Sequence, residues 1–148
     1  MRGYGAPSRL LSVAMLACLL AGLLAQQHTL AAPAGQGLMA HLQERFGLSD
    51  RQVRGALGAL LVFVREELPE PEFRELADTI PNADHIMQEV KLQGVVTRPL
   101  DDIGDYEASL ASVGIGQPLA SQFAPAVLEY LGAAGLERQR SMLQRALD

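Results

Sequence analysis

The sequence predicts an all-α domain of six or seven short helices. Three observations carry this. Beyond residue 35 the large apolar residues recur three and four apart, as they do along one face of an α-helix. No stretch alternates polar and apolar residues for long enough to make a strand. Glycine and proline fall between the periodic stretches and divide them into short pieces.

The first element is a leader. Arg2 and Arg9 give a positive start with no acid, and an apolar run from Leu10 to Ala25 follows, interrupted only by Ser12 and Gly22. Small residues such as Ala32-Pro33-Ala34 then offer a cleavage point. A positive start, a short apolar core and a small-residue exit describe a secretory signal peptide. The run is shorter than the ~20 apolar residues of a membrane-spanning helix. Residues 1–34 are therefore expected to be a signal helix, cut somewhere between 25 and 34, and residues 35–148 a single helical domain. The alternative is a lipoprotein anchored through Cys18, but Leu16 stands where such sequences carry a small residue. The expected location is periplasmic or secreted.

Removing the leader takes away two arginines and no acid, and leaves ten basic against seventeen acidic residues, a net charge of about −7. This balance argues against a nucleic-acid partner, which needs a basic footprint, and against docking on anionic lipid. Cys18 is the one cysteine, so the processed domain would be held by packing alone, with no disulfide.

Leu38, Met39, Leu42 and Phe46 have helical spacing, and Gly47 ends that helix. Ser49 caps the next, and Gln52 three residues later completes a capping box. The predicted helix runs from Asp50 to Glu67, with Val53, Leu57, Leu60, Leu61 and Val64 as its buried stripe. Gly55 and Gly58 lie inside it beside Ala56 and Ala59. A glycine there costs about 1 kcal/mol relative to alanine. The expected offset is close approach of another helix, or of a partner, against this small-residue face. Arg51, Arg54, Arg65 and Glu66 flank it, so it does not read as a membrane span.

Leu68-Pro69-Glu70-Pro71 is a stop and a restart, with Pro71 suited to a first helical turn. Phe73, Leu76 and Ile80 follow at helical spacing, and Pro81 is expected to end that helix. Asn82 is expected to cap a short helix from Ala83 to about Val90. Residues 91–104 read as a loop with Val95-Val96 tucked against the core. Tyr106, Leu110 and Val113 begin the second half, which Gly114 interrupts. Pro118 to Gln122 reads as a short turn of helix, and Pro125 as the start of another with Val127, Leu128 and Leu131 inward. Leu136, Met142, Leu143 and Leu147 line a final amphipathic helix.

A shift of 67 residues brings nine pairs of large apolar positions together. Met39 meets Tyr106, Phe46 meets Val113, Leu60 and Leu61 meet Val127 and Leu128, and Leu76 meets Leu143. Gly47 also meets Gly114. The expected architecture is two pseudo-repeated three-helix units packed face to face.

The order of Gly47-Leu48-Ser49, Gly55-Ala56-Leu57-Gly58-Ala59-Leu60-Leu61, the stretch Phe73 to Ile80 and Pro81-Asn82-Ala83-Asp84 resembles the bacterial VcgC/VcgE family, a domain of unknown function. Phe123-Ala124-Pro125-Ala126-Val127-Leu128-Glu129-Tyr130-Leu131 resembles its second half. The family often has glycine where this chain has Asn82, and both suit a tight turn. The likeness spans about Leu38 to Leu147 and leaves the stretch from Lys91 to Gly104 unmatched. It implies an exported bacterial helical protein and brings no activity or catalytic residue with it.

Candidate chemistry is sparse. His41 and Glu44 are one turn apart, and a metal site would need more ligands than these two, with His85 and Asp84 reachable only through the tertiary fold. Asp101, Asp102, Asp105 and Glu107 surround Gly104, but Ile103 and Gly104 fall where a calcium loop needs oxygen ligands. Acidic enrichment at a helix start explains them. Ser49, Ser109, Ser112, Ser121 and Ser141 stand in no nucleophile-elbow context, and no phosphate loop is present. No cofactor is expected, and no enzymatic activity; a hydrolase would need convergent polar groups.

The leading expectation is a non-enzymatic interaction module of the bacterial envelope with an unidentified protein partner. Its binding element would be the small-residue face Gly55, Ala56, Gly58 and Ala59, or the acidic face Glu66, Glu67, Glu70, Glu72, Glu75 and Asp78. The alternative is a carrier of a small apolar ligand or lipid between the helical halves, with no stable membrane span after the leader is removed.

Overall fold

Local sequence accounts for most helix ends. The computed structural model describes residues 34–148; the expected leader and Cys18 lie outside them. The described residues form seven α-helices and one 3-10 turn, with no strand among them. In chain order these are α1 (Ala34–Phe46), α2 (Asp50–Glu67), α3 (Glu70–Ala77), α4 (Ala83–Leu92), α5 (Ile103–Ser109), the 3-10 turn Leu110–Val113, α6 (Gln117–Ala133) and α7 (Glu137–Leu147). Helix α1 begins one residue ahead of the expected domain start.

Gly47 stops α1 with a φ of +64°, a left-handed conformation that glycine adopts at no steric cost. Two residues on, the capping box forms as read: Ser49 Oγ accepts from the Gln52 amide at 3.3 Å, and the Gln52 side chain accepts from the Ser49 amide at 3.1 Å. Helix α2 then runs over the expected span. Its burial differs from an amphipathic stripe. Every residue from Gly55 to Val64 is buried, so α2 is wrapped on all sides. It packs against α1, α3, α4, α5, the 3-10 turn and α7. A periodicity read from Val53, Leu57, Leu60, Leu61 and Val64 sees one face, and the glycines and alanines that line the others go uncounted.

Three more boundaries depart from expectation. Helix α3 stops at Ala77, and Ile80 is buried from a turn that follows it. Asn82 precedes α4 but makes no capping bond through its side chain. It has a φ of +60°, so the residue serves the tight turn after Pro81 rather than the helix end. The third departure is the largest. Pro125 does not start a helix; it lies inside the continuous helix α6. Proline in a helix interior costs about 3 kcal/mol, because it lacks an N–H and crowds the carbonyl four residues back. Here Pro125 and Ser121 are both exposed, so the released Ser121 carbonyl faces water. Phe123, Ala124, Ala126 and Val127 are buried on either side, and their burial holds the helix through the break.

The 67-residue shift reappears in the element boundaries. Asp50 and Gln117 begin α2 and α6, Glu70 and Glu137 begin α3 and α7, and Phe46 and Val113 end α1 and the 3-10 turn. Gly47 and Gly114, at φ values of +64° and +77°, make the same left-handed stop. Contacts are exchanged between the units: α1 packs on α6, α5 and the 3-10 turn pack on α2, and α3 packs on α7. Helix α4 has no counterpart. It lies on α2, with Ile86 and Val90 seated over Gly58.

The core sits where the two units meet. Leu38, Leu57, Leu61, Leu76, Val127 and Leu143 surround a residual space of about 10 Å³, roughly the size that one water needs.

Candidate functional site

The face that the sequence offered as a packing or partner surface belongs to the interior. Gly55, Ala56, Gly58 and Ala59 are all buried. A β-carbon on Gly55 would stand 2.7 Å from Val113 Cγ1, and one on Gly58 would stand 2.6 Å from Val90 Cγ1 and 3.0 Å from the Ile86 carbonyl oxygen. The close approach that offsets the two glycines is therefore made within the domain, by the 3-10 turn and by α4, and no part of this face is open to a second protein.

The acidic face divides. Glu72 and Glu75 project from α3 toward α7, where Glu72 pairs with Arg145 and Glu75 with Arg138 at 2.6 Å. Glu70 pairs with Arg74 one turn away at 2.9 Å. Glu66, Glu67 and Asp78 are exposed. Two of the six acids are thus already paired with a basic helix of the same chain, and a third with its own helix.

The remaining candidates separate as well. Asp102 caps α5 by accepting from the Asp105 amide at 2.8 Å, and Asp105 pairs with Arg98. These acids serve a helix start and a loop. His85 lies beside Glu89 at 4.0 Å on α4, far in sequence from His41 on α1. Among the described residues no group of three or more His, Cys, Asp or Glu is arranged to hold a metal ion. No described helix is long and apolar enough to cross a membrane.

The structure brings together a set of groups that sequence spacing does not reveal. Helices α1 and α6 cross so that His41 and Arg45 face Glu129, Tyr130, Ala133 and Ala134 across a surface cleft of about 470 Å³. That volume lies within the range of small-ligand pockets, although this one is an open surface cleft. The spacing of four between His41 and Arg45 puts both on one face of α1. Arg45 forms an ion pair with Glu129, and its guanidinium lies 5.6 Å from the centre of the Phe46 ring. The rings of His41 and Tyr130 are tilted by 43° at 5.4 Å. The absence of a β-carbon on Gly37 makes room for the Tyr130 hydroxyl, with which a β-carbon would collide. One more polar group stands apart. Tyr106 is fully buried against Phe63 at 6.3 Å, and its hydroxyl has no hydrogen-bond partner among the described residues. Burial, reinforced by the charge of Glu107, pushes its phenol well above the usual range.

Of the cleft residues, Glu129 and Tyr130 entered only within the stretch that resembles the family, and only His41 was singled out by the sequence for its chemistry, as half of a His–Glu pair. Its exposed neighbour Glu44 is not part of the cleft. Arg45, Glu129 and Tyr130 carry no local signature, because the two sides of the cleft are more than eighty residues apart.

No curated protein and no solved structure matches this chain. The family described as protein of unknown function VcgC/VcgE (DUF2780) matches residues 21–148. That span takes in every helix described above, including the stretch around 91–104 that sequence motifs left unmatched, and the chain belongs to the VcgC/VcgE family.

Proposed function

We propose that this protein is a non-enzymatic interaction module of the bacterial envelope, exported by its leader, and that the cleft between α1 and α6 is the surface through which it works. The observation that carries this reading is the distribution of space. The interior leaves about 10 Å³ at the junction of the two units, whereas the surface cleft measures about 470 Å³. A carrier of a small apolar molecule needs an enclosed cavity of about 300 Å³ or more, so the space favours the surface reading over the carrier. The groups in the cleft also suit recognition. Arg45 and Glu129 form an ion pair in the cleft beside the His41 and Tyr130 rings, and arginine and tyrosine are residue types enriched at contact surfaces.

The test is site-specific photo-crosslinking in cells. A photoreactive side chain at Ala133, in the cleft, is expected to give a discrete adduct in the envelope fraction. The same group at Gln144, exposed on α7, is expected to give none. Equal labelling from both positions, or none from Ala133, would remove the cleft from consideration. Recovery of the protein in the cytoplasmic fraction alone would overturn the envelope assignment.

A further inference from the structure

We propose that the cleft between α1 and α6 captures the C-terminal carboxylate of a partner protein, with Arg45 as its principal donor. This rests on the reading of the cleft as an interaction surface and names the chemical group recognised there. The starting point is how Arg45 is used. Its guanidinium joins α1 to α6 through one nitrogen, Nη1, which donates to Glu129 Oε2. The Nε–Nη2 edge donates to no group among the described residues. That edge carries two parallel N–H bonds and matches the two oxygens of a carboxylate.

The guanidinium is also held in place. Its centre lies 5.6 Å from the Phe46 ring. Phe46 is itself stacked on the buried Phe123, with 6.2 Å between the ring centres. A donor that is positioned before its ligand arrives loses less freedom on binding. His41 lies one turn before Arg45 on the same face of α1, and both line the cleft. Its imidazole brings a further N–H to that side. The opposing charge is Glu129, which is exposed. Exposed ion pairs are weak, so Glu129 either keeps Nη1 or returns to water when a second carboxylate arrives. The five donors of a guanidinium are enough for two carboxylates.

An acidic side chain and a chain end both present a carboxylate, and conformational entropy decides between them. At an exposed site the pair gains little, and an aspartate or glutamate must also fix its side-chain torsions to make it. A main-chain carboxylate has no side-chain torsions to fix. The small side chains of Ala133 and Ala134 leave room for the backbone that bears it and add no charge to the cleft.

The experiment uses the full chain and a synthetic library of ten-residue peptides, each made once with a free C-terminal carboxylate and once with a C-terminal amide. A subset of the free acids is expected to bind, and the matching amides to bind about ten-fold more weakly. Arg45→Gln is expected to abolish the difference between acid and amide. Glu129→Gln removes the competing carboxylate and is expected to tighten binding of the free acids by about two-fold or more. A merely structural role for the ion pair would not produce that gain. No binding by any free acid, equal binding of acid and amide, an acid–amide difference that survives Arg45→Gln, or weaker binding to Glu129→Gln overturns the proposal. If Arg45→Gln fails to fold, the acid–amide comparison and Glu129→Gln, which leave Arg45 in place, decide alone. A photo-adduct from Ala133 without carboxylate-dependent binding would overturn the C-terminal occupant and leave the cleft an interaction surface. Loss of both would overturn both.

Discussion

Gly58 of α2 lies so close beneath Val90 of α4 that a β-carbon on it would stand 2.6 Å from the valine Cγ1 and 3.0 Å from the Ile86 carbonyl. Alanine in place of glycine normally gains about 1 kcal/mol in a helix interior. Here it would have to push away a backbone carbonyl, and overpacking of that kind costs ~1–3 kcal/mol. Gly58→Ala is expected to lower stability by about 1 kcal/mol or more in urea unfolding. Gly55→Ala meets mainly the Val113 side chain, which is only half-buried, and is expected to cost less. A Gly58→Ala protein more stable than the parent would refute the close approach.

Pro125 interrupts the hydrogen bonding of α6 on its solvent side. Pro125→Ala restores an N–H for the Ser121 carbonyl and relieves the ring's crowding. The gain, about 3 kcal/mol at most, is reduced by the greater freedom of the unfolded chain, ~0.4–1 kcal/mol. A net stabilisation of about 1–2 kcal/mol is expected in chemical denaturation. Pro118→Ala, in the first turn of α6, is expected to give none of it, because the N–H there has no intrahelical partner. Loss of stability in Pro125→Ala would mean that the ring packs rather than perturbs.

What the sequence made legible was local. Ser49 and Gln52 announce the start of α2 because a capping box is contained within four residues. Gly47 and Gly114 announce two stops because a left-handed turn favours glycine. The 67-residue pattern could be read because large apolar positions and the Gly47 and Gly114 stops recur at that spacing. What could not be read depended on neighbours far along the chain. The proline that continues a helix has the same local appearance as one that starts it, and only the burial of Phe123 and Val127 decides between them. The burial of α2 on every side from Gly55 to Val64 depends in part on α4, which the second unit lacks. The cleft depends on α1 crossing α6, so Arg45 and Glu129 became partners only in the fold.

Helix α7 is steered onto α3 by two cross-helix ion pairs, Arg138 with Glu75 and Arg145 with Glu72. Half-exposed pairs of this kind contribute about 0.2–1 kcal/mol each. Glu72→Arg with Glu75→Arg places like charges opposite each other and is expected to destabilise by about 1–2 kcal/mol at low salt. Adding Arg138→Glu and Arg145→Glu reverses both sides and is expected to recover most of the loss. Raising the salt concentration should shrink the difference, since exposed charges are screened. Failure of the fourfold variant to recover would show that these side chains act through packing, not charge.

Tyr106 makes the sharpest claim about pH. Its hydroxyl is fully buried without a partner among the described residues, and its phenol is raised far above the usual value, first by burial and then by the charge of Glu107. In the unfolded chain the same phenol titrates near pH ~10. Because the folded value is the higher one, the contribution to stability is complete below ~10 and is lost as pH rises from there toward the folded value. The expected slope is about 1.4 kcal/mol per pH unit for this one proton. Tyr106→Phe should remove that component of the alkaline slope. At neutral pH it should be neutral or stabilising by about 1 kcal/mol, since an unpaired buried hydroxyl is removed and the ring is kept. Tyr106→Ala should cost ~3–5 kcal/mol through the cavity it leaves. Urea unfolding of the three proteins between pH 7 and 11 decides the matter. A Tyr106→Phe protein clearly less stable at pH 7 would mean that the hydroxyl has a partner, and an unchanged alkaline slope would mean that another group titrates there.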